Sequence, residues 1–329
     1  MSVTIKDVAR YCEVSTATVS RVINNDPRIS EKTKEKVMKG IKELNYRING
    51  VARSLKTNRT RTIGFICPEI PNDFFMSIAK GVEDELKKYG YSVIICNSNE
   101  NTEEEKERIK LLCEKCVDGI IIIPATDVGR HFKYLKDANM PVVLVDRLVE
   151  DFQSDAVLVD NINGSYCAME YLINKGYNRI GFIGGDVKLT SAKERFEGYT
   201  RALSDYCIPL EKDIIKFGDF HIKGGFDLMK EMMQQDNPPP LVFISNYFMH
   251  VGAVKYLIEN KYKLDKEVLI ASFDDMELSS IFGFSVLRVR QPMMEIGSKA
   301  AQLLLSRIDG DKAAYPRIVR LKTELITEW

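Results

Sequence analysis

The chain has 329 residues, 45% of them hydrophobic and 29% charged, with 47 Lys plus Arg against 47 Asp plus Glu. That length exceeds one average domain and the composition is that of a globular protein, which excludes a disordered or collagen-like chain. No apolar run precedes the first helical pattern and no stretch of 18 apolar residues occurs, so the reading is a cytoplasmic protein with neither signal peptide nor membrane span. The balanced charge is unevenly placed. Residues 1–61 hold 14 Lys plus Arg against 6 Asp plus Glu, a net of +8, and the remainder carries −8. A basic head on an acidic body predicts a DNA-phosphate surface confined to one domain.

In chain order, Thr4 is a good N-cap and Ile5, Val8, Ala9 and Cys12 follow at i, i+3, i+4, i+7, which predicts a first helix. Glu13-Val14 interrupts it, Ser15 caps again, and a short second helix turns Val19, Val22 and Ile23 inward while showing Thr16, Ala17, Ser20 and Arg21 outward. Helix, tight turn and short helix predict a helix-turn-helix whose second helix reads the DNA major groove. Asp26-Pro27 breaks the chain, and Ser30 caps a third helix with Thr33, Val37, Ile41 and Leu44 at helical spacing. Residues 49–61, NGVARSLKTNRTR, have Val51, Ala52 and Leu55 for one short amphipathic helix, which is marginal by itself.

From Thr62 the pattern changes to short apolar runs, IGFIC, YSVIIC, GIIII, VVLV, AVLV, RIGFIG, IIKF, LVFIS and VLIASF, mostly separated by amphipathic stretches. Such alternation predicts parallel sheets covered by helices on both faces. RTIGFI at 61–66 is echoed by RIGFI at 179–183, which predicts two similar α/β subdomains with chain crossings near Asp160 and Gln291 and a last helix, about Met293 to Ile308, packed on the first subdomain. Ligands collect at the carboxyl ends of such strands. There the sequence places Asn72 to Phe75, Asn97 to Asn99, Asp146-Arg147, Arg195, Phe220, Asn246 and Asp274, a mixture of carboxylates, amides, guanidinium groups and rings suited to a polyhydroxylated ligand.

Other chemistry is thinly represented. The seven cysteines form no disulfide framework, and Cys113-x-x-Cys116 has neither a second pair nor a nearby His to complete a zinc site, so both are expected as core cysteines and no metal or cofactor is expected. His131, His221 and His250 are read as surface or packing residues, with a site role left open for His221 because it follows the end of the IIKF strand. There is no GxxxxGK[ST] loop, no GxGxxG after a strand and no GxSxG elbow, which argues against an enzyme.

The opening TIKDVARYCEVSTATVSRVINN, the junction NGVARSLKTNRTRTIGFICPEIPNDFF, and VVLVDR, NRIGFIGG, RFEGY and ASFDD together resemble the lactose-repressor and galactose-repressor family of bacterial transcription regulators. The resemblance implies a small all-α helix-turn-helix head plus an α/β periplasmic-binding-protein-like body of two doubly wound parallel-sheet subdomains. It divides the chain into a DNA-binding domain 1–47, a hinge 48–61 and an effector domain 62–329, the first subdomain being about 62–160 and 291–320 and the second about 161–290 and 321–329.

It further implies a homodimer on a near-palindromic operator. Thr16, Ala17 and Arg21 would face bases, with Arg21 the guanine reader; Thr4, Ser15, Ser20, Asn24, Asn49, Ala52 and Arg53 would complete the DNA contacts, and Leu55 would wedge into the minor groove. Effector contacts fall on Phe74, Asp146, Arg147, Arg195, Phe220, Asn246, Asp274 and Gln291, with a sugar or sugar acid as the expected ligand and a purine or protein signal as the alternative. Two departures stand out: Ile48 replaces the family's usual Pro before Asn49, and Tyr247-Phe248 follows Asn246 where Asp is usual. No heptad-patterned tail follows residue 308, so no tetramerisation helix is expected.

Overall fold

The computed structural model describes residues 3–23, 26–46, 59–263, 267–275 and 286–327. It divides into two units, Met1–Thr60 and Arg61–Trp329.

The first unit contains helices α1 (Ile5–Tyr11), α2 (Thr16–Ile23) and α3 (Glu31–Glu43). Each begins where a short polar side chain satisfies helix-end N–H groups. The Asp7 carboxylate accepts from the N–H and hydroxyl of Thr4 at 2.9 and 2.7 Å, Ser15 Oγ accepts from the Thr18 N–H at 3.0 Å, and Ser30 Oγ accepts from the Thr33 N–H at 3.3 Å. Val8, Ala9, Cys12, Val19, Val22 and Val37 form the miniature core. The tight turn between α1 and α2 passes through Glu13 in a left-handed conformation, φ 49°.

The second unit is built on two six-stranded sheets. The first has strands β1 (Thr62–Cys67), β2 (Ser92–Asn97), β3 (Gly119–Ile122), β4 (Val142–Val145), β5 (Asp155–Val159) and β11 (Ile318–Leu321), in the order β11-β5-β4-β3-β1-β2, all parallel. The second has β6 (Ile180–Gly184), β7 (Ile215–Phe217), β8 (Leu241–Ile244), β9 (Leu269–Phe273), β10 (Leu287–Arg290) and β12 (Glu324–Thr327), in the equivalent order β12-β10-β9-β8-β6-β7, with β12 antiparallel to β10. The inner strands β1, β3, β4, β5, β6, β8 and β9 are largely apolar along their length because both faces are covered. Ile63, Phe65, Ile121 and Val143 enter one core, and Ile66, Ile120, Ile122 and Leu144 enter the opposite one; Phe182 and Phe243 are separated in the same way from Ile183 and Ile244.

The covering helices are α4 (Asp73–Lys87), α5 (Thr102–Glu114), α6 (Lys133–Asp137), α7 (Asn161–Asn174), α8 (Thr190–Asp205), α9 (Ile222–Met233), α10 (Tyr247–Glu259) and α11 (Met293–Ile308). The chain crosses between sheets three times, after β5, after β10 and after β11. Helix α11 returns to the first sheet, as its apolar face predicts, putting Ile296, Ala300 and Leu304 into the core with Ile78 and Val82 of α4. None of the described helices is long and apolar enough to cross a membrane.

Three strands are absent from the apolar runs read in the sequence. LRVR, IVRL and ELIT alternate arginine or glutamate with aliphatic residues and so do not stand out as buried strands. The cysteine expectation needs correction as well. Cys113 packs at the edge of a core, but Cys116 is exposed just beyond the end of α5 at φ 55°, where the chain turns toward β3. His131 is buried against Glu105, with Nε2 to Oε1 at 2.6 Å, and His250 is buried in α10.

Two properties of this packing can be measured. A Cβ on Gly297 would overlap the Ile78 carbonyl oxygen and the Val82 nitrogen of α4. Gly297→Val should therefore cost about 1–3 kcal/mol by overpacking, read as a lower urea midpoint at unchanged m-value. Burial, reinforced by the Arg288 charge, pushes the His250 imidazole down to about 4 from its usual 6.5. Between these values the unfolded chain binds a proton that the folded chain refuses, so the His250 contribution to stability should fall by up to about 3 kcal/mol as pH drops from 6.5 toward 4, and no further below that. Urea titrations at several pH values should give a shallower slope for His250→Gln than for the wild type.

Candidate functional site

In both sheets the strand order reverses beside the first strand, between β1 and β3 and between β6 and β8, and ligand clefts form at the carboxyl ends of strands around such reversals. Here the carboxyl ends of seven strands meet at one cleft of about 540 Å³, part of it open to solvent. Glu69, Asn72, Phe74 and Phe75 follow β1, Glu100 follows β2, and Asp146-Arg147 follows β4. From the second sheet come Ser191 and Arg195 of α8, Phe220 and His221 after β7, Asn246, Tyr247 and Phe248 after β8, and Asp274 after β9.

The backbone is bent to present these groups. Glu100 (φ 52°), Asp146 (φ 66°), Phe220 (φ 64°) and Asp274 (φ 75°) all lie in the left-handed region, an unfavourable conformation for residues with a Cβ and one that clusters at functional sites. Phe220 lies directly over Gly185, where any Cβ would overlap its ring, so the last glycine of IGFIGG is there to admit the aromatic wall.

Both arginines are nearly fully buried, each 4% exposed, and each is held on several sides. Arg195 donates Nε–H to Asn161 Oδ1 at 2.9 Å and an Nη1 hydrogen to the Ser245 carbonyl at 2.7 Å. Its guanidinium is 4.0 Å from Asp274 Oδ2 and 4.0 Å from the centre of the Phe273 ring. Arg147 donates to both carboxylate oxygens of Glu100, at 2.9 and 3.1 Å, and to the Pro124 carbonyl at 3.0 Å. Burial pushes the Asp146 carboxyl above the usual carboxylate range, against the pull of Arg147 and Arg195.

Of the eight effector positions expected from the sequence, seven line the cleft: Phe74, Asp146, Arg147, Arg195, Phe220, Asn246 and Asp274. Gln291 does not. It is buried behind the cleft, where its side-chain amide donates to Asp274 Oδ1, so it orients a lining carboxylate. Asn246 divides its amide between two tasks, accepting from the Met249 N–H at 3.0 Å as the cap of α10 and donating to the Phe220 carbonyl at 3.1 Å. Tyr247 donates its backbone N–H to Asp274 Oδ2 at 3.2 Å. Glu69, Glu100 and Ser191 are additions to the sequence reading, and His221, left open there because it follows a strand end, does line the cleft. For Glu100 the signal was available, an acidic residue one place beyond the polar strand end Asn97 to Asn99.

In the first unit, α2 exposes Thr16, Ala17 and Arg21 opposite the buried Val19 and Val22. Ser20 is half-buried, while Thr4 and Ser15 are exposed with hydroxyls engaged in helix caps. Asn24, Asn49, Ala52, Arg53 and Leu55 lie outside the described residues.

Known proteins match both units. The family described as bacterial regulatory proteins, lacI family, matches residues 4–49, and that described as periplasmic binding proteins and sugar binding domain of LacI family matches residues 60–328. The HTH-type transcriptional regulator RegA of Clostridium saccharobutylicum is 36% identical over 327 residues, covering 99% of this chain and 98% of its own. The HTH-type transcriptional repressor PurR of Vibrio parahaemolyticus serotype O3:K6 is 34% identical over 325 residues, covering 98% and 97%. A solved structure titled as a complex of the transcriptional regulator CelR with cellobiose superposes with a TM-score of 0.75 at 28% identity, covering 99% and 98%.

Proposed function

The chain belongs to the lacI family of bacterial regulatory proteins and is a DNA-binding transcription regulator, not an enzyme; from that premise we propose that it represses carbohydrate-use genes by binding a near-palindromic operator as a homodimer, and that a sugar or sugar acid in the cleft changes its operator affinity. The observation that carries the effector reading is the lining itself. Asp146, Asp274 and Asn246 offer acceptors for hydroxyl hydrogens, the buried guanidinium groups of Arg147 and Arg195 offer donors, and Phe74, Phe220 and Phe248 supply rings for the apolar face of a sugar.

The groups are held in place before ligand arrives by Asn161, Gln291, Glu100 and the Ser245 and Pro124 carbonyls. Affinity is then little diminished by ordering of side chains. Ligand occupancy shifts operator affinity to the extent that it favours one arrangement of the two sheets over another. A purine is the second reading, favoured by the five rings Phe74, Phe75, Phe220, Tyr247 and Phe248 around one cleft and by the similarity to repressors named PurR.

A thermal-shift screen of the purified chain against neutral sugars, sugar acids and purines separates the readings, because a ligand of the native cleft raises the melting temperature with concentration. A rise with sugars or sugar acids supports the proposal; a rise confined to purines replaces it with the second reading. Arg195→Lys keeps the charge but not the planar array of donors, so it should weaken the screening compound by tenfold or more, about 1.4 kcal/mol, while ligand-free operator binding persists in a mobility-shift assay. Arg21→Ala should lower specific operator affinity by about 1–3 kcal/mol and leave ligand affinity unchanged. Equal loss of both activities in this variant would indicate misfolding and remove Arg21 as the base reader.

A further inference from the structure

Glu100 lies just after β2, on a turn that the chain makes at some conformational cost. Asn99 and Glu100 are consecutive left-handed residues, both at φ 52°, and the turn is closed by the Asn101 N–H donating to the Ser98 carbonyl at 2.9 Å. Asn99 Nδ2 donates to Glu104 Oε2 at 2.7 Å, which holds the turn against the first part of α5. The result is a two-pronged pairing of Glu100 with Arg147 across 47 residues of sequence. Burial works against the Arg147 charge, but Glu100 outweighs it and keeps the guanidinium above its usual range.

This pairing decides what the cleft has left to offer a ligand. Arg147 Nη1 and Nη2 are engaged by Glu100 and the Pro124 carbonyl. Its buried Nε has no hydrogen-bond partner and lies 3.5 Å from Asp146 Oδ2. A neutral hydroxyl satisfies both groups, accepting from Nε–H and donating to the carboxylate. A carboxylate or ionised phosphate oxygen only accepts, so it meets Asp146 and Glu100 with no hydrogen to give, and only the P–OH that phosphate keeps near neutral pH can supply one. Lining charge acts in the same direction, since Glu69, Glu100, Asp146 and Asp274 face Arg147 and Arg195. Arg195 spends two of its five N–H groups on Asn161 and the Ser245 carbonyl and has Asp274 Oδ2 4.0 Å away, so its charge too is partly offset before a ligand arrives.

We propose that Glu100 is a specificity-determining residue which, by occupying Arg147, restricts the cleft to uncharged polyhydroxylated ligands and excludes sugar acids and sugar phosphates. This narrows the sugar-or-sugar-acid reading of the cleft to neutral sugars and rests on it, and a melting-temperature rise with a sugar acid overturns it.

The test uses the full-length chain and inorganic phosphate as the probe, titrated against chloride at constant ionic strength with the melting temperature as readout. The basic N-terminal unit takes up phosphate equally in every variant, so the difference from wild type is what counts. Glu100→Gln should gain a phosphate-dependent rise in melting temperature that the wild type lacks. Adding Arg147→Gln to it should remove the gain, and Glu100→Asp, which restores the carboxylate, should behave as the wild type.

Identical phosphate dependence in Glu100→Gln and wild type overturns the proposal. So does a wild-type phosphate response that Arg147→Gln alone abolishes, a comparison that remains decisive if Glu100→Gln does not fold. The outcomes separate from those of the sugar screen. A sugar hit without the phosphate gain removes only the charge gate, and the phosphate gain without a sugar hit removes only the sugar reading.

Discussion

The buried guanidinium of Arg195 is the point on which the cleft depends. A charge so far from water is tolerated only with several partners, and Arg195 has the Ser245 carbonyl at the end of β8, Asp274 at the end of β9, the Phe273 ring and Asn161 at the start of α7. Asn161 in turn donates to Glu194 Oε2 at 3.0 Å, and Glu194 receives two hydrogens from Arg320 of β11, at 2.6 and 3.0 Å. Arg320 also reaches the Val159 carbonyl at 3.3 Å. One chain of polar side chains therefore runs from the ligand-facing surface to two of the three chain crossings. Gln291, beside Asp274, brings in the third.

That arrangement links, at the cleft, two sheets that are otherwise separate. Each sheet is held by its own two apolar cores, whose energy is insensitive to small changes in the direction of the other sheet. Directional hydrogen bonds at the crossings define that relation instead. Left-handed Glu100, Asp146, Phe220 and Asp274 each store some conformational energy, and each is held by bonds that a relaxed backbone would lose: Glu100 to Arg147, the Asp146 N–H to the Val157 carbonyl, the Phe220 carbonyl to Asn246, and the Asp274 N–H to the Val289 carbonyl.

The legible part of the site was the part that strand ends announce. An apolar run that stops at a polar or aromatic residue locates a lining position without knowledge of its neighbours, which is how Asp146, Arg147, Phe220, Asn246 and Asp274 were found. Glu100 was overlooked because its importance comes from an arginine 47 residues away. Gln291 was placed among the ligand contacts because it sits at a crossing; only its burial and its bond to Asp274 show that it acts behind the cleft. Cys116 illustrates the same limit on the packing side: i, i+3 spacing suggests a common face with Cys113, but the helix ends before Cys116 and the turn carries it outward.

The sequence by itself determined the helix-turn-helix, the two series of strand and helix units and the position of the cleft at their carboxyl ends. These follow from periodicity, capping residues and charge segregation, all of which are local properties of the chain. Tertiary structure alone decided which groups the cleft leaves free. Two arginines and two aspartates read from a sequence are compatible with an acidic, a neutral or a basic ligand. Folding brings Glu100 onto Arg147 and Asn161 onto Arg195, and hydrogen-bonding capacity used inside the protein is no longer available to a ligand.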